Sequence, residues 1–187
     1  YHNTPVLTVA RASEKDIPLI RSLVRQIWPK TYATILSQKQ IKYMMAMMYS
    51  EEAIKVQMQK DHQFIIVYNS GIPVGFAAYG EIEPGIYKLF KIYVLHTQQG
   101  KGTGKFIIEE ILNDIQPKGA TSLQLNVNRN NKAKLFYEKV GFAVIKTEDI
   151  DIGNGYFMND YVMEKVLGTT HVLVTGNSES QVSNADS

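Results

Sequence analysis

Three glycines crowd the stretch Gln99-Gly100-Lys101-Gly102-Thr103-Gly104-Lys105. The apolar, β-branched run Ile92-Tyr93-Val94-Leu95 before it reads as a strand, and the amphipathic run Phe106 to Ile115 after it reads as a helix. A glycine-rich turn between strand and helix leaves several backbone N–H groups without partners, converging at the positive end of a helix dipole. Such a corner seats a phosphate or pyrophosphate. Spacing excludes two common phosphate loops. A P-loop ending at Gly104-Lys105 would need glycine in place of Gln99 and a hydroxyl in place of Phe106. The dinucleotide pattern GxGxxG meets Lys105 when begun at Gly100 and Ile107 when begun at Gly102. What fits is Gln-x-x-Gly-x-Gly, read from Gln99 through Gly102 to Gly104.

A second stretch, Leu125-Asn126-Val127-Asn128-Arg129-Asn130, runs through Ala133, Phe136 and Tyr137 to Gly141-Phe142. It reads as a strand followed by a helix over 132–139 that Gly141 closes. The glycine loop resembles the acyl-CoA loop of the GNAT superfamily of N-acetyltransferases. The second stretch resembles the strand–helix segment that follows that loop, with Asn130 ahead of Tyr137 and the Gly-Phe pair at the helix end. The segment Asn159 to Lys165 is similar to the family's last strand. The resemblance covers about 6–167.

That resemblance implies an α/β (α+β) acyl-CoA N-acyltransferase fold, with a mixed, mostly antiparallel central sheet flanked by helices. It implies transfer of acetyl from acetyl-CoA to a primary amine, directly, in a ternary complex. Acetyl-CoA would be held by Gln99 to Lys105, with Gly102 and Gly104 permitting close approach, and by Asn130, Ala133, Phe136 and Tyr137. Backbone N–H groups of Ile92, Tyr93 and Val94, freed where the strand splays from its neighbour, would polarise the thioester carbonyl in the manner of an oxyanion hole. Tyr137 would protonate the departing thiolate. A tyrosine has a pKa of about 10 and keeps its proton near neutrality. The sequence departs from the family at the base. Many relatives carry a glutamate on the strand before the loop, where this chain has Lys88-Leu89-Phe90-Lys91. Glu81, Glu83, His96, Asp149, Asp151, Asp160 or a backbone carbonyl with water remain, and the sequence does not choose.

Those groups need elements to position them. Val6 to Ala10 reads as a first strand. Asp16 caps a helix with Pro18 in its first turn and Ile17, Ile20, Val24 and Ile27 on one face, ended by Pro29. Ser37-Gln38-Lys39-Gln40 has capping-box form and opens a helix whose Ile41, Met44, Met45 and Met48 share a core face. Ser50 caps a third helix over 51–60. Phe64 to Tyr68, Val74 to Tyr79 and Ile86 to Leu95 form an antiparallel meander leading into the glycine loop. Phe142 to Ile152 and Tyr156 to Val166 form a closing hairpin. Trp28, Tyr32 and Tyr43, each with a polar tip, either line a cleft or pack in the core or at the rim. Residues 1–167 are expected to be the acetyltransferase domain, and 168–187 a polar tail whose His171-Val172-Leu173-Val174 could add a strand to an edge.

Composition narrows the classes. The chain has 187 residues, 44% of them hydrophobic, and a formal charge of +2 that carries no nucleic-acid footprint. It has no cysteine, so a thiol nucleophile, a disulfide and a cysteine metal site are excluded. His2, His62, His96 and His171 lack ligand spacing, and no metal is expected. No apolar run suits a membrane helix. The chain opens on Tyr1 without a signal-peptide pattern, and a cytoplasmic location is expected. The acidic residues around Glu81 and Glu148 to Asp151, Asp149 included, would favour a cationic acceptor. Similarity to bacterial polyamine acetyltransferases suggests spermidine or spermine. A protein α-amino group is an alternative acceptor, and a non-catalytic acyl-CoA sensor an alternative class. A homodimer is consistent with the family.

Overall fold

The computed structural model describes residues 5–168. The His171 to Val174 run, and all of the expected tail but Gly168, lie outside them. The elements in chain order are β1 (Leu7–Arg11), α1 (Ile17–Tyr32), α2 (Gln38–Tyr49), α3 (Glu51–Gln59), β2 (Gln63–Asn69), β3 (Ile72–Glu83) and β4 (Ile86–Val94). There follow α4 (Thr103–Ile115), β5 (Ser122–Asn128), α5 (Ala133–Lys139), β6 (Ala143–Gly153) and β7 (Tyr156–Val166). The strands make one sheet in the order β1-β2-β3-β4-β5-β7-β6. Every pairing is antiparallel except β4 with β5. The expected meander is β2-β3-β4.

Two apolar layers sandwich the sheet. Ile65, Val67, Ala77 and Leu89 point to one face, where they meet Ile107, Ile108, Ile111 and Ile115 of α4. Phe64, Ile66, Phe76 and Ala78 alternate to the other, where they meet α1, α2 and α3. Burial on both faces explains why β2 reads as an unbroken apolar run rather than an alternating one. Ile41 and Met44 are buried on the second face, with Met45 and Met48 partly buried beside them, so the methionine row is core filling.

The helix starts follow the caps in the sequence. Ser37 Oγ accepts from Gln40 N–H at 3.1 Å, and Ser50 Oγ accepts from Ala53 N–H at 3.1 Å. Loss of either hydroxyl should cost about 1 kcal/mol in urea unfolding. The capping box at Ser37 is half formed, because Gln40 Nε2 reaches across to Phe157 O at 2.9 Å instead. Asp16 precedes α1 but caps no helix N–H; its carboxylate accepts from Ser13 N–H at 2.9 Å.

Pro29 does not end α1, contrary to the sequence reading. The helix runs through it to Tyr32. An interior proline costs a helix about 3 kcal/mol. Here Trp28 and Tyr32 flank it and are both buried, at 1% and 8% exposure. Their packing outweighs the lost hydrogen bond. Helix α4 begins at Thr103, three residues ahead of the expected Phe106, so the last glycine of the loop lies in its first turn.

β4 and β5 pair only from Ile86 opposite Ser122 to Leu89 opposite Leu125. Beyond that point β4 stays with β3 as far as Val94, and β5 stays with β7 as far as Asn128. The two strands part, and a wedge opens in the middle of the sheet. A bulge marks the place: Ala78 faces Lys91 but Tyr79 faces Leu89, leaving Phe90 extra in β4. The bulge bends β4 away from β5 where pairing stops.

Candidate active site

The wedge, α4 and α5 together enclose a cleft of about 1240 Å³. Its rear wall is the free edge of β4. Leu95 N–H donates to Val74 O at 2.8 Å, so by alternation the amide groups of Tyr93 also face β3, and those of Ile92 and Val94 face the wedge. Two contacts agree with that alternation. A Cβ on Gly75 of β3 would lie 2.6 Å from Tyr93 O, which only a glycine allows. Val94 O is turned the other way and accepts from Gln99 Nε2 at 3.4 Å. Two of the three expected donors are therefore aimed into the cleft. Tyr93 contributes its side chain instead, whose hydroxyl bonds that of Tyr32 at 2.9 Å.

The cleft's mouth is the glycine corner. Gly100 and Gly102 both have φ of +80°, a left-handed conformation that side chains rarely adopt, and a Cβ on either would stand in open space. Gly102 is the N-cap of α4 and offers no capping side chain. The first helical bond is Phe106 N–H to Gly102 O at 3.0 Å, and the N–H groups of residues 100–105 meet no described acceptor. An array of amide donors at the start of a helix, with no side chain over it, fits a diphosphate. Gly104 serves a different end. A Cβ there would come within 3.0 Å of the Phe136 ring, so glycine lets α4 close onto α5. Gln99, Gly100, Gly102, Thr103, Gly104, Lys105, Ala133, Phe136 and Tyr137 line the cleft. Lys101 and Asn130 are exposed outside it, and Asn131 lies on the wall in place of Asn130.

Tyr137 is 8% exposed, its ring held between Phe136 (5.4 Å) and Phe142 (5.9 Å). Burial, and next the Tyr32 hydroxyl, push its pKa above the usual tyrosine value. Burial likewise pushes Tyr32 up to about 12, and raises Tyr49 and Tyr93. These hydroxyls keep their protons at any physiological pH. Lys91, with Nζ 5.0 Å from the Tyr49 ring centre, is driven down to about 8 by burial.

The expected acceptor residues do not all meet. Tyr32 lines the cleft. Trp28 does not: it is 1% exposed, packed against Tyr32, Tyr49 and Tyr93 with ring centres 4.5, 5.4 and 5.7 Å away. It is a core residue behind the cleft wall, and Trp28→Ala should destabilise the fold by about 3–5 kcal/mol, measurable by urea unfolding. Tyr43 ties α2 to the closing hairpin by donating to Ile152 O at 2.7 Å. Glu81 is at the far end of the β3–β4 hairpin, accepting from Gly85 N–H at 2.9 Å. Asp149 pairs with Arg129 on an exposed surface. Neither Glu81 nor Asp149 is among the residues lining the cleft. Asp151 is also committed, accepting from Gly153 N–H at 2.9 Å in the hairpin turn.

Sequence reasoning missed Tyr93's side chain, Asn126 and Asn131 as wall residues. The signal was present for Asn126. Leu123, Leu125 and Val127 alternate into the α4 core, which turns Gln124 and Asn126 to the opposite face. Among the described residues no group of three or more His, Cys, Asp or Glu is placed to hold a metal.

Known proteins share this fold. Residues 32–165 match the acetyltransferase (GNAT) domain family. A spermidine N(1)-acetyltransferase of Thermoplasma acidophilum is 27% identical over 165 residues, 85% of this chain and 96% of that protein. A ribosomal protein bS18-alanine N-acetyltransferase of Haemophilus influenzae is 36% identical, but over only 69 residues, 37% of this chain and 44% of that protein. The crystal structure of the PaiA N-acetyltransferase of T. acidophilum in complex with coenzyme A superposes with a TM-score of 0.72 at 26% identity, covering 86% of this chain and 99% of that one. With the family match spanning the wedge, the glycine corner and Tyr137, this chain belongs to the GNAT family of N-acetyltransferases.

Proposed function

We propose that the protein transfers acetyl from acetyl-CoA to a primary amine of a small cationic molecule, of which spermidine is the first candidate. The observation that carries this is the wedge itself: donors on β4, the amide nest at α4 and the Tyr137 hydroxyl open into one continuous cleft. The residues present fit coenzyme A. The nest at 100–105 would hold its pyrophosphate, the freed amides of Ile92 and Val94 its pantetheine arm and thioester carbonyl, and Ala133 and Phe136 would pack against it. When bound, acetyl-CoA supplies an activated acetyl group.

The protein's own contributions follow from the geometry. Amides on the edge of a sheet held by β3 are fixed donors, so they stabilise developing negative charge without first reorganising. Tyr137 Oη is the proton source beside the departing sulfur, and burial keeps that proton in place until it is needed. Tyr32 and Tyr93 form an aromatic wall of the cleft, their hydroxyls bonded to each other at 2.9 Å.

Spermidine is favoured because the T. acidophilum spermidine acetyltransferase matches over nearly its whole length. The local match to an alanine N-acetyltransferase supports a protein α-amino group as a second reading. Thiol release from acetyl-CoA, assayed against polyamines, alanyl peptides, aminoglycosides and free amino acids, separates them. Spermidine should give the highest kcat/KM. Release with alanyl peptides alone would select the second reading, and release with none would reject both.

A further inference from the structure

Across the wedge from β4, the face of β5 and β7 opposite the α4 core is polar. Asn126 of β5 donates Nδ2 to Asp160 Oδ2 at 3.1 Å and to Glu148 Oε1 at 3.3 Å. Two carboxylates fix the orientation of that carboxamide, since turning it over would set its oxygen against both. Asn126 Oδ1 is consequently pointed away from them, and it is buried with no hydrogen-bond partner. Asp160 is 4% exposed, and among the described residues its carboxylate receives one hydrogen bond, from Asn126, and forms no ion pair. Here, beside a cleft that Asn126 and Tyr32 both line, are two adjacent acceptors short of donors.

A buried oxygen without a donor and a buried carboxylate that no cation contacts in an ion pair both cost free energy. A neutral donor would satisfy the first and leave the second. A primary ammonium satisfies both, with three N–H donors and a positive charge.

We propose that Asn126 and Asp160 hold the acceptor's ammonium and that the Asp160 carboxylate removes its proton, in the role the β4 glutamate plays in many relatives. This rests on the amine-acetylating reading above. One N–H bond of the ammonium breaks, an O–H bond forms on Asp160, and the electron pair stays on nitrogen as the nucleophile. Burial raises the Asp160 pKa, which suits a base. The charged groups facing it are Lys88 of β4, Glu148 of β6 and Arg129 after β5, with the Tyr32 hydroxyl of α1 within its field. Lys88 and Arg129 oppose the rise, and Glu148 adds to it. The Arg129 guanidinium pairs with Asp149 and the Lys146 ammonium with Glu148 at 3.2 Å, so neither cation forms an ion pair with Asp160.

Asp160→Asn keeps shape and removes the base. The test measures binding of spermidine, an alanyl tripeptide and butylamine by calorimetry without acetyl donor, kcat/KM against pH, and acetyl-CoA affinity as a check of folding. The variant should bind the accepted amine at least about tenfold more weakly and lose about 100-fold in kcat/KM. Its acetyl-CoA affinity should be unchanged. The wild-type profile should fall at acid pH through a pKa above the usual carboxylate range, and that limb should vanish in the variant. Amine binding and turnover within threefold of wild type would overturn the proposal. If the wild type acetylates nothing, the function proposed above fails and the binding arm alone decides here. Amine binding that is absent from the wild type, or equal in the two proteins, then overturns this one. Should Asp160→Asn fail to bind acetyl-CoA, Asn126→Ala carries the test. It removes the one hydrogen bond holding the Asp160 pKa down, so it should weaken amine binding and move the acid limb to higher pH. An unmoved limb with unchanged amine affinity overturns the proposal.

Discussion

Gly102→Val should weaken acetyl-CoA binding by at least about 100-fold, about 2.7 kcal/mol, while the protein stays folded. Two effects add. At φ of +80° a valine is strained in place, and a left-handed conformation costs an ordinary residue about 1–2 kcal/mol. The chain relieves that strain by turning the peptide, which rotates the neighbouring N–H groups out of the nest. Each helix-terminal contact to an anion is worth about 0.3–1 kcal/mol, so disturbing three or four removes the rest. The substituted Cβ meets no atom within 4 Å, so no core contact is lost. Calorimetry with acetyl-CoA, beside a thermal melt, reads both quantities. A variant that melts normally and binds normally would take the glycine corner out of the mechanism.

Tyr137→Phe should lower kcat by about 10²–10⁴-fold, the usual worth of a positioned general acid, and leave acetyl-CoA affinity within a few-fold. The substitution removes one oxygen and keeps the ring between Phe136 and Phe142. Because burial raises the Tyr137 pKa, its hydroxyl is the protonated form from acid pH to beyond the ordinary tyrosine range. The wild-type rate should therefore show no loss on the alkaline side, near neutrality, that belongs to this group. Single-turnover measurement isolates the transfer from product release. An unchanged single-turnover rate would remove Tyr137 as the acid.

The Asp160 experiment and these two act on different groups of the cleft. In the reaction proposed above, Gly102 would shape the cofactor's seat, Tyr137 would serve the leaving sulfur, and Asp160 would face the incoming nitrogen. A loss of amine binding without a loss of acetyl-CoA binding belongs to the third alone.

Much of this was legible before folding was considered. The glycine corner is written in consecutive residues, because positive φ and missing side chains are local demands. The helix starts at Ser37 and Ser50 are local as well, each hydroxyl reaching an amide three residues on. Pro29 shows where local rules stop. Its preference against helix interiors is genuine, yet two buried aromatics on either side of it decide the outcome.

The chain's residue order alone determined the strand–nest–helix corner, the placement of Tyr137 on the following helix and the alternation that buries one face of β5. Each depends on neighbours within a few positions. Folding decided the rest: that β4 and β5 part after Leu89 and Leu125, that Trp28 lies behind the wall, that Glu81 is not among the residues lining the cleft, and that Asn126 meets Asp160 across two strands. Those facts are distances between residues remote in sequence. Strand register and the packing of helices on the sheet set them, and no local preference encodes either.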